Sequence, residues 1–394
     1  MAPADIRQFM HEANLKILLA SPGGWHLPNT ANALQVRNAL AGLWISNKNA
    51  SAVESQYFRR NWLFHILLKP LFHLAPQIVQ EKAFYSLLPV WKSWIKAQNY
   101  PECNVVQGIM GFCTELFDKA EELGALKVVD CTNSHPTTYH GYWQRECDLW
   151  CPGEKVPIPW WMFSRMNREL ERADLILCPS DFVRDTMLLN GIPKQKCFVN
   201  PFGVNTEIFR KREGPPFTPR FISVGTICLR KGFHYLMRAF ELVKKEWPDA
   251  ELIVVGDYKS DFRKERPKWE GKFTHFKRLP HSELSELLQT CTAFVFPSME
   301  EGFARVIPEA MGAGLPIIAS YESGAATLVN DGVEGYIVRG RDPNHIAEAM
   351  IRVTKDRVMN QGMGAAAYTK GAASNSWQDY GDRLLSKYSE LVAR

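Results

Sequence analysis

"AFVFPSMEEGFARVIPEAMGAGLPIIAS", residues 293–320, passes from an apolar run through a short loop and a helical pattern into a second apolar run. "AFVFPS" reads as a buried strand ending at Ser298, "SMEEGFA" as the loop that follows, and "LPIIAS" (315–320) as the next strand. The helix between them is predicted to start near Ala304. Pro308 then falls close to its first turn, where a missing N–H costs little because those donors have no helical partner.

The same alternation extends in both directions. "LKILLAS" (15–21), "LKVVDCT" (126–132), "ADLILCPS" (173–180) and "CFVNP" (197–201) are apolar enough for buried strands. "RFISVG" (220–225), "AELIVVG" (250–256) and "GYIVRG" (335–340) repeat the habit, with helical patterns such as 232–247 and 281–291 between them. Strand and helix in alternation imply parallel sheets covered on both faces. The reading is α/β: two doubly wound, Rossmann-like domains, roughly 1–205 and 215–370, facing each other across a cleft. "REGPPFTP" (212–219) suits the linker between them.

A chain of 394 residues exceeds the usual size of one core, in agreement with two domains. The net charge of +5 is too small and too spread out to argue for nucleic acid. Nine cysteines form no C-x-x-C pair, which favours buried, reduced thiols and a cytoplasmic protein. The N-terminus lacks the pattern of a signal peptide, and no stretch reaches the ~20 apolar residues of a membrane span. G-x-G-x-x-G after a first strand and the P-loop pattern are both missing, which removes the best support for a dehydrogenase or a nucleoside triphosphatase.

In such folds ligands bind at the carboxyl ends of strands, near helix N-termini. The backbone N–H groups around Ala304, Arg305 and Val306 would point out of the predicted helix end and suit a phosphate. Glu301 lies before that point and Glu309 beyond it. Were the whole span helical, they would stand ~12 Å apart and roughly 80° around the axis. That suits neither a catalytic dyad nor a shared metal. It suits an extended ligand with hydroxyls at both ends and anionic charge in the middle, the shape of a nucleotide sugar. Gly302 and Ala304 are small enough to admit a ligand close to the backbone.

This segment closely resembles the E-x7-E segment of family 4 retaining glycosyltransferases of GT-B fold. Segments 173–209, 221–240, 279–303 and 329–338 and the closing 376–388 resemble the same family in the same order, whereas the first 170 residues resemble it only loosely. The resemblance implies that Glu301 meets donor-sugar hydroxyls, Glu309 the ribose, and the amides of Gly302, Phe303, Ala304, Arg305 and Val306 the sugar and diphosphate. It also implies that backbone near Leu279 holds the base, and that a C-terminal helix, residues 375–394, packs back on the first domain.

A diphosphate leaving group needs cations. No two aspartates stand two positions apart, so D-x-D is missing and neither a metal nor another cofactor is expected. Arg230 and Lys231 precede a helix and offer the charge. The family commonly has an arginine directly after the glycine of this segment; here that place is Thr226, so that either Arg230 supplies the charge from a shifted position or the phosphate is held more weakly. Gly23 and Gly24, directly after the first strand, permit close backbone approach to a phosphate. The family often has a histidine lining the sugar after the strand ending near residue 132, which makes His135 the catalytic candidate, with His140 second and a buried structural histidine the alternative. The resemblance implies retaining transfer to a hydroxyl acceptor, lipid-linked or a growing cell-surface glycan. Competing readings are a GT-B-like epimerase, a phosphorylase, or a sugar-nucleotide-binding scaffold without turnover.

Residues 55–100 carry Arg59, Arg60, Lys69, Lys82, Lys92 and Lys96 against one acid, Glu81, interleaved with Trp62, Phe64, Phe72, Trp91 and Trp94. Cations beside tryptophans fit docking on an anionic membrane. Aromatics that simply form the domain core are the equal alternative.

Overall fold

The computed structural model describes residues 14–47, 52–74, 83–373 and 376–393. Among the described residues thirteen strands form two parallel sheets. The first contains β1 (Ile17–Ala20), β2 (Leu40–Ile45), β3 (Phe58–Arg60), β4 (Val105–Ile109), β5 (Leu126–Asp130), β6 (Leu175–Cys178) and β7 (Cys197–Val199), in the order 3-2-1-4-5-6-7. The second contains β8 (Arg220–Val224), β9 (Glu251–Val255), β10 (Thr274–Phe276), β11 (Ala293–Phe296), β12 (Ile317–Ser320) and β13 (Gly335–Val338), in the order 10-9-8-11-12-13. Each order reverses beside its first strand, and that reversal opens a crevice at the carboxyl ends.

Six helices position the site: α1 (Leu27–Gln35), α2 (Trp62–Leu74), α3 (Pro136–Trp150), α4 (Phe233–Glu246), α5 (Val306–Gly312) and α6 (Trp377–Val392). Phe233, Leu236, Met237, Phe240 and Val243 of α4 share one buried stripe at helical spacing. Ser376 and Asp379 start α6 with a reciprocal capping box. That helix lies on the first domain: Tyr388 Oη donates to Gln107 Oε1 at 2.8 Å, Arg383 bonds Asn200 Oδ1 and the Pro201 carbonyl, and Arg37 of the loop after α1 pairs with Asp382.

Residues 212–219 are not a free linker. Arg212 is buried in the second domain, donating to the carbonyls of Gly314, Cys291 and Thr292, and Arg357 bonds the carbonyls of Pro215 and Pro216. A buried guanidinium has to satisfy its donors, and here loop carbonyls do so. The nine cysteines are free, and all but Cys197 are buried.

Helix α3 is the main bridge between the domains. Its Glu146 is fully buried and accepts bonds from His234 Nε2, Tyr235 Oη and Arg341 Nε of the second domain at 3.1, 3.1 and 2.6 Å. One turn earlier, Trp143 Nε1 donates to Asp261 Oδ2 at 3.3 Å. Burial raises the Asp261 carboxyl to about 6.

Candidate active site

Strand β11 ends at Phe296, and the loop after it carries the two acids and the glycine of the opening motif. Helix α5 starts at Val306 with Arg305 as its cap, two residues later than the sequence suggests. Ile307 N already bonds the Ala304 carbonyl at 2.8 Å, so a tight turn comes before the helix proper. Glu301 is therefore a loop residue and Glu309 a helix residue; the relation expected for one continuous helix does not apply.

Glu301 is paired. Its carboxylate bonds Lys231 Nζ and lies 3.4 Å from Arg230 Nη1, while its N–H donates to the Glu322 carbonyl. Burial, and the Arg230 charge beside it, lower the Lys231 ammonium to about 7. Gly232 follows at φ +71°, and a Cβ there would meet the Pro297 carbonyl oxygen at 2.0 Å. Only glycine lets the Lys231 loop lie this close to the acidic loop.

Glu309 differs. It is half-buried, and among the described residues its carboxylate has neither a hydrogen-bond partner nor an ion-pair partner. Burial raises its pKa, with His281 and Arg305 pulling the other way. His281, whose charge acts on the Glu309 carboxyl, stands two residues after the half-buried Leu279.

The glycine and the neighbouring acid serve the interface. A Cβ on Gly302 would fall 2.0 Å from the Thr132 carbonyl oxygen of the first domain, and the Gly302 carbonyl accepts from Ser180 Oγ at 2.7 Å. The close approach expected for a ligand is thus taken by the other domain's backbone. Phe303 packs edge-on against Phe202 at 5.6 Å, and Phe303 and Ala304 are both buried. Glu300 is fully buried; it accepts from Ser134 N at 3.0 Å, Ser134 Oγ at 2.9 Å and Arg230 Nη1 at 2.9 Å. Arg230 in turn lies 5.8 and 5.7 Å from the ring centres of Tyr139 and Trp143 on α3. Sequence reading overlooked Glu300, Ser134 and the two rings; two adjacent glutamates after a strand were the only signal.

His135 caps α3. Its Nδ1 accepts from Thr137 N at 3.3 Å, its own N–H donates to Thr186 Oγ1, and burial lowers its pKa to about 4. The imidazole is thus neutral and caps its own helix. His140 packs edge-on against Trp160 and Phe163 of its own domain.

Gly23 and Gly24 line a cavity of about 710 Å³ between the domains, which Arg230 and Lys259 close from the second domain. The space a Cβ would need at Gly23 is filled by the Trp25 ring, 2.6 Å away. His26, next in the chain, is buried, bonds Asp130 Oδ2 at 2.8 Å and lies 4.1 Å from the Phe202 ring. Of the membrane-facing candidates, Phe64 and Trp91 are buried, so those two belong to the core, whereas Trp62 is exposed. The side chain of Phe72, with Glu81 and Lys82, lies outside the described residues. Among the described residues no helix is long and apolar enough to cross a membrane.

Two doubly wound domains facing each other across a cleft define the GT-B class. Residues 204–370 match the family described as glycosyl transferases group 1, and residues 135–208 match glycosyltransferase family 4. Residues 135–370 therefore belong to these glycosyltransferase families. D-inositol 3-phosphate glycosyltransferase 1 of Catenulispora acidiphila is 34% identical over 265 residues, 61% of this chain and 63% of that protein. A GDP-mannose-dependent monoacylated alpha-(1-6)-phosphatidylinositol monomannoside mannosyltransferase of Corynebacterium glutamicum is 29% identical over 178 residues, 43% of this chain and 46% of that protein. The chain thus spans between about half and three-fifths of the length of the curated relatives it matches. Sucrose-phosphate synthase from Thermosynechococcus elongatus superposes with a TM-score of 0.69 at 17% identity, covering 97% of this chain and 100% of that one. Anabaena HepE, in complex with UDP and glucose, superposes at 0.64 with 17% identity, covering 95% and 100%. At these identities the likeness is one of fold.

Proposed function

We propose that the chain transfers a sugar, with retention of anomeric configuration and without a metal, from a nucleoside-diphosphate sugar to a hydroxyl acceptor. The observation that carries this is Glu309: a half-buried carboxylate with no hydrogen-bond or ion-pair partner among the described residues, on the first turn of α5. Such an acceptor of hydrogen bonds suits the ribose hydroxyls of a nucleotide. Glu301 would exchange its bond to Lys231 for donor-sugar hydroxyls, which releases the ammonium for the diphosphate. As the acceptor oxygen bonds the anomeric carbon, the bond to the diphosphate oxygen breaks on the same face, and that oxygen takes the acceptor's proton. Arg230 and Lys231 stabilise the charge that grows there, and the protein otherwise acts by positioning.

The acceptor in this reading is lipid-linked, and the first domain meets an anionic membrane surface. Trp62, Leu63, Ile66 and Leu67 on α2 are exposed, with Arg59, Arg60 and Lys69 around them. Thermal melting against a panel of nucleotide sugars tests the donor half. A matching nucleotide at a hundred times its Kd adds about 2.7 kcal/mol and raises Tm. No rise with any nucleoside diphosphate or its sugar conjugates would remove this reading. Matching anomeric configurations in donor and product, read by NMR, test retention.

A further inference from the structure

The cavity of about 710 Å³ has two unlike ends. Gly23, Gly24 and Arg230 bring one end to the donor side. The rest of its wall is largely apolar: Leu68 of α2, Phe84, Pro157, Ile158 and Trp143 of α3. Among the described residues no carboxylate lines it, and polar side chains there (Asn47, His65, Lys69, Tyr85 and Tyr139) leave most of the wall apolar. A ligand that brings apolar surface to that wall gains by burying it.

Both elements that wall the cavity continue into exposed apolar surface. On α2, His65, Leu68 and Lys69 line it, while Trp62, Leu63, Ile66 and Leu67 are exposed on the same helix. Two and three residues beyond Ile158, Trp160 and Trp161 are 71% and 47% exposed. Exposed apolar residues clustered at a cavity rim, rather than scattered singly, mark an entry for apolar material.

We infer that this cavity holds an aliphatic chain of the acceptor, so that the receiving hydroxyl belongs to an amphiphile and its chain enters between α2 and the 157–161 segment. The inference rests on the glycosyl-transfer reading and adds the place and chemistry of the acceptor. The receiving hydroxyl then lies at the polar end, where Arg230 and the glycine loop meet the donor.

The test is a chain-length series of neutral n-alkyl glucosides, hexyl to decyl, kept below micelle formation and titrated calorimetrically into the full chain. Affinity should rise roughly two- to fourfold per added methylene and then level off once the cavity is full. Ile158→Glu and Leu68→Glu, made separately, should flatten the series, with nucleoside diphosphate affinity of the same proteins reporting that they are folded. A wild-type series without chain-length dependence overturns the inference, and so does a steep series that survives both substitutions. If the series is steep but no nucleoside diphosphate binds, the chain site stands, its role for an acceptor is overturned, and the donor reading has failed separately.

Discussion

The two faces of the cleft are built on opposite chemistry. The second domain presents charge: Arg230, Lys231, Glu300 and Glu301 form one connected set, and Glu309 follows on the first turn of α5. The first domain presents rings and glycines: Trp25, Phe84, Tyr139 and Trp143 around Gly23 and Gly24. Even the polar contacts of the first domain at this boundary are structural, since Ser134 satisfies Glu300 and His135 caps its own helix. One face is suited to recognise a charged, hydroxyl-rich donor and the other an apolar acceptor. The boundary is sealed by Glu300, which belongs to both.

The sharpest way to break this comparison is at that seal. Glu300→Ala leaves Arg230 without its buried partner and the Ser134 N–H and hydroxyl without an acceptor. Removing one member of a buried ion pair costs about 3–5 kcal/mol. Urea unfolding should show a loss of that order; a change below about 0.5 kcal/mol, the range of ordinary surface substitutions, would mean the domains are not held together here.

Next come the two motif acids, which the comparison assigns to different parts of one ligand. Bonds to charged groups contribute about 1.5–3 kcal/mol, so each loss should be roughly ten- to a hundredfold. Glu301→Ala should lower turnover by that factor and leave nucleoside diphosphate affinity within about threefold, since its partner is the sugar. Glu309→Ala should weaken the sugar nucleotide and the free diphosphate alike. Equal diphosphate affinity in wild type and Glu309→Ala, by calorimetry, sinks the ribose assignment.

A smaller effect follows from Lys231, whose ammonium lies at about 7 before the ligand arrives. A bound diphosphate favours the charged form and raises that value. Binding above pH 7 then takes up a proton, and affinity falls as pH rises, by up to about tenfold per unit until the bound-state value is reached. Titrations at pH 8 in buffers of different ionisation enthalpy should give different apparent heats, and identical heats would count against Lys231 as the diphosphate ligand.

The smallest expected effect is none. Turnover should persist in excess chelator, because cations of the chain serve the leaving group. A complete loss of activity that magnesium restores would instead place a metal in the reaction.

Some of this was legible one residue at a time. Strands β1, β5, β6 and β8 lie within apolar runs visible in the sequence, and the acidic loop follows β11 as the alternation requires. Strands β2 and β4 escaped notice although they flank β1. "LAGLWI" has a glycine inside it, and "VVQGI" a glutamine that is buried only because Asp130 and Tyr388 satisfy it. Position after a strand made Gly23, Gly24 and Glu301 candidates, and position at a helix start Arg230, Lys231 and Glu309, because the crevice of a doubly wound sheet lies at strand ends near helix N-termini.

The sequence by itself determined the class of fold and the place of the cleft, since periodicity and loop position are local properties of the chain. Which acid pairs, which stays unpartnered and which seals the domains was decided only by tertiary structure. Glu300 and Glu301 are neighbours with the same side chain, yet Glu300 is fully buried against Ser134, 166 positions away, while Glu301 stays near Lys231 of its own domain. The cost of burying a charge depends on the partner it meets, and a partner that distant in sequence leaves no local pattern to read.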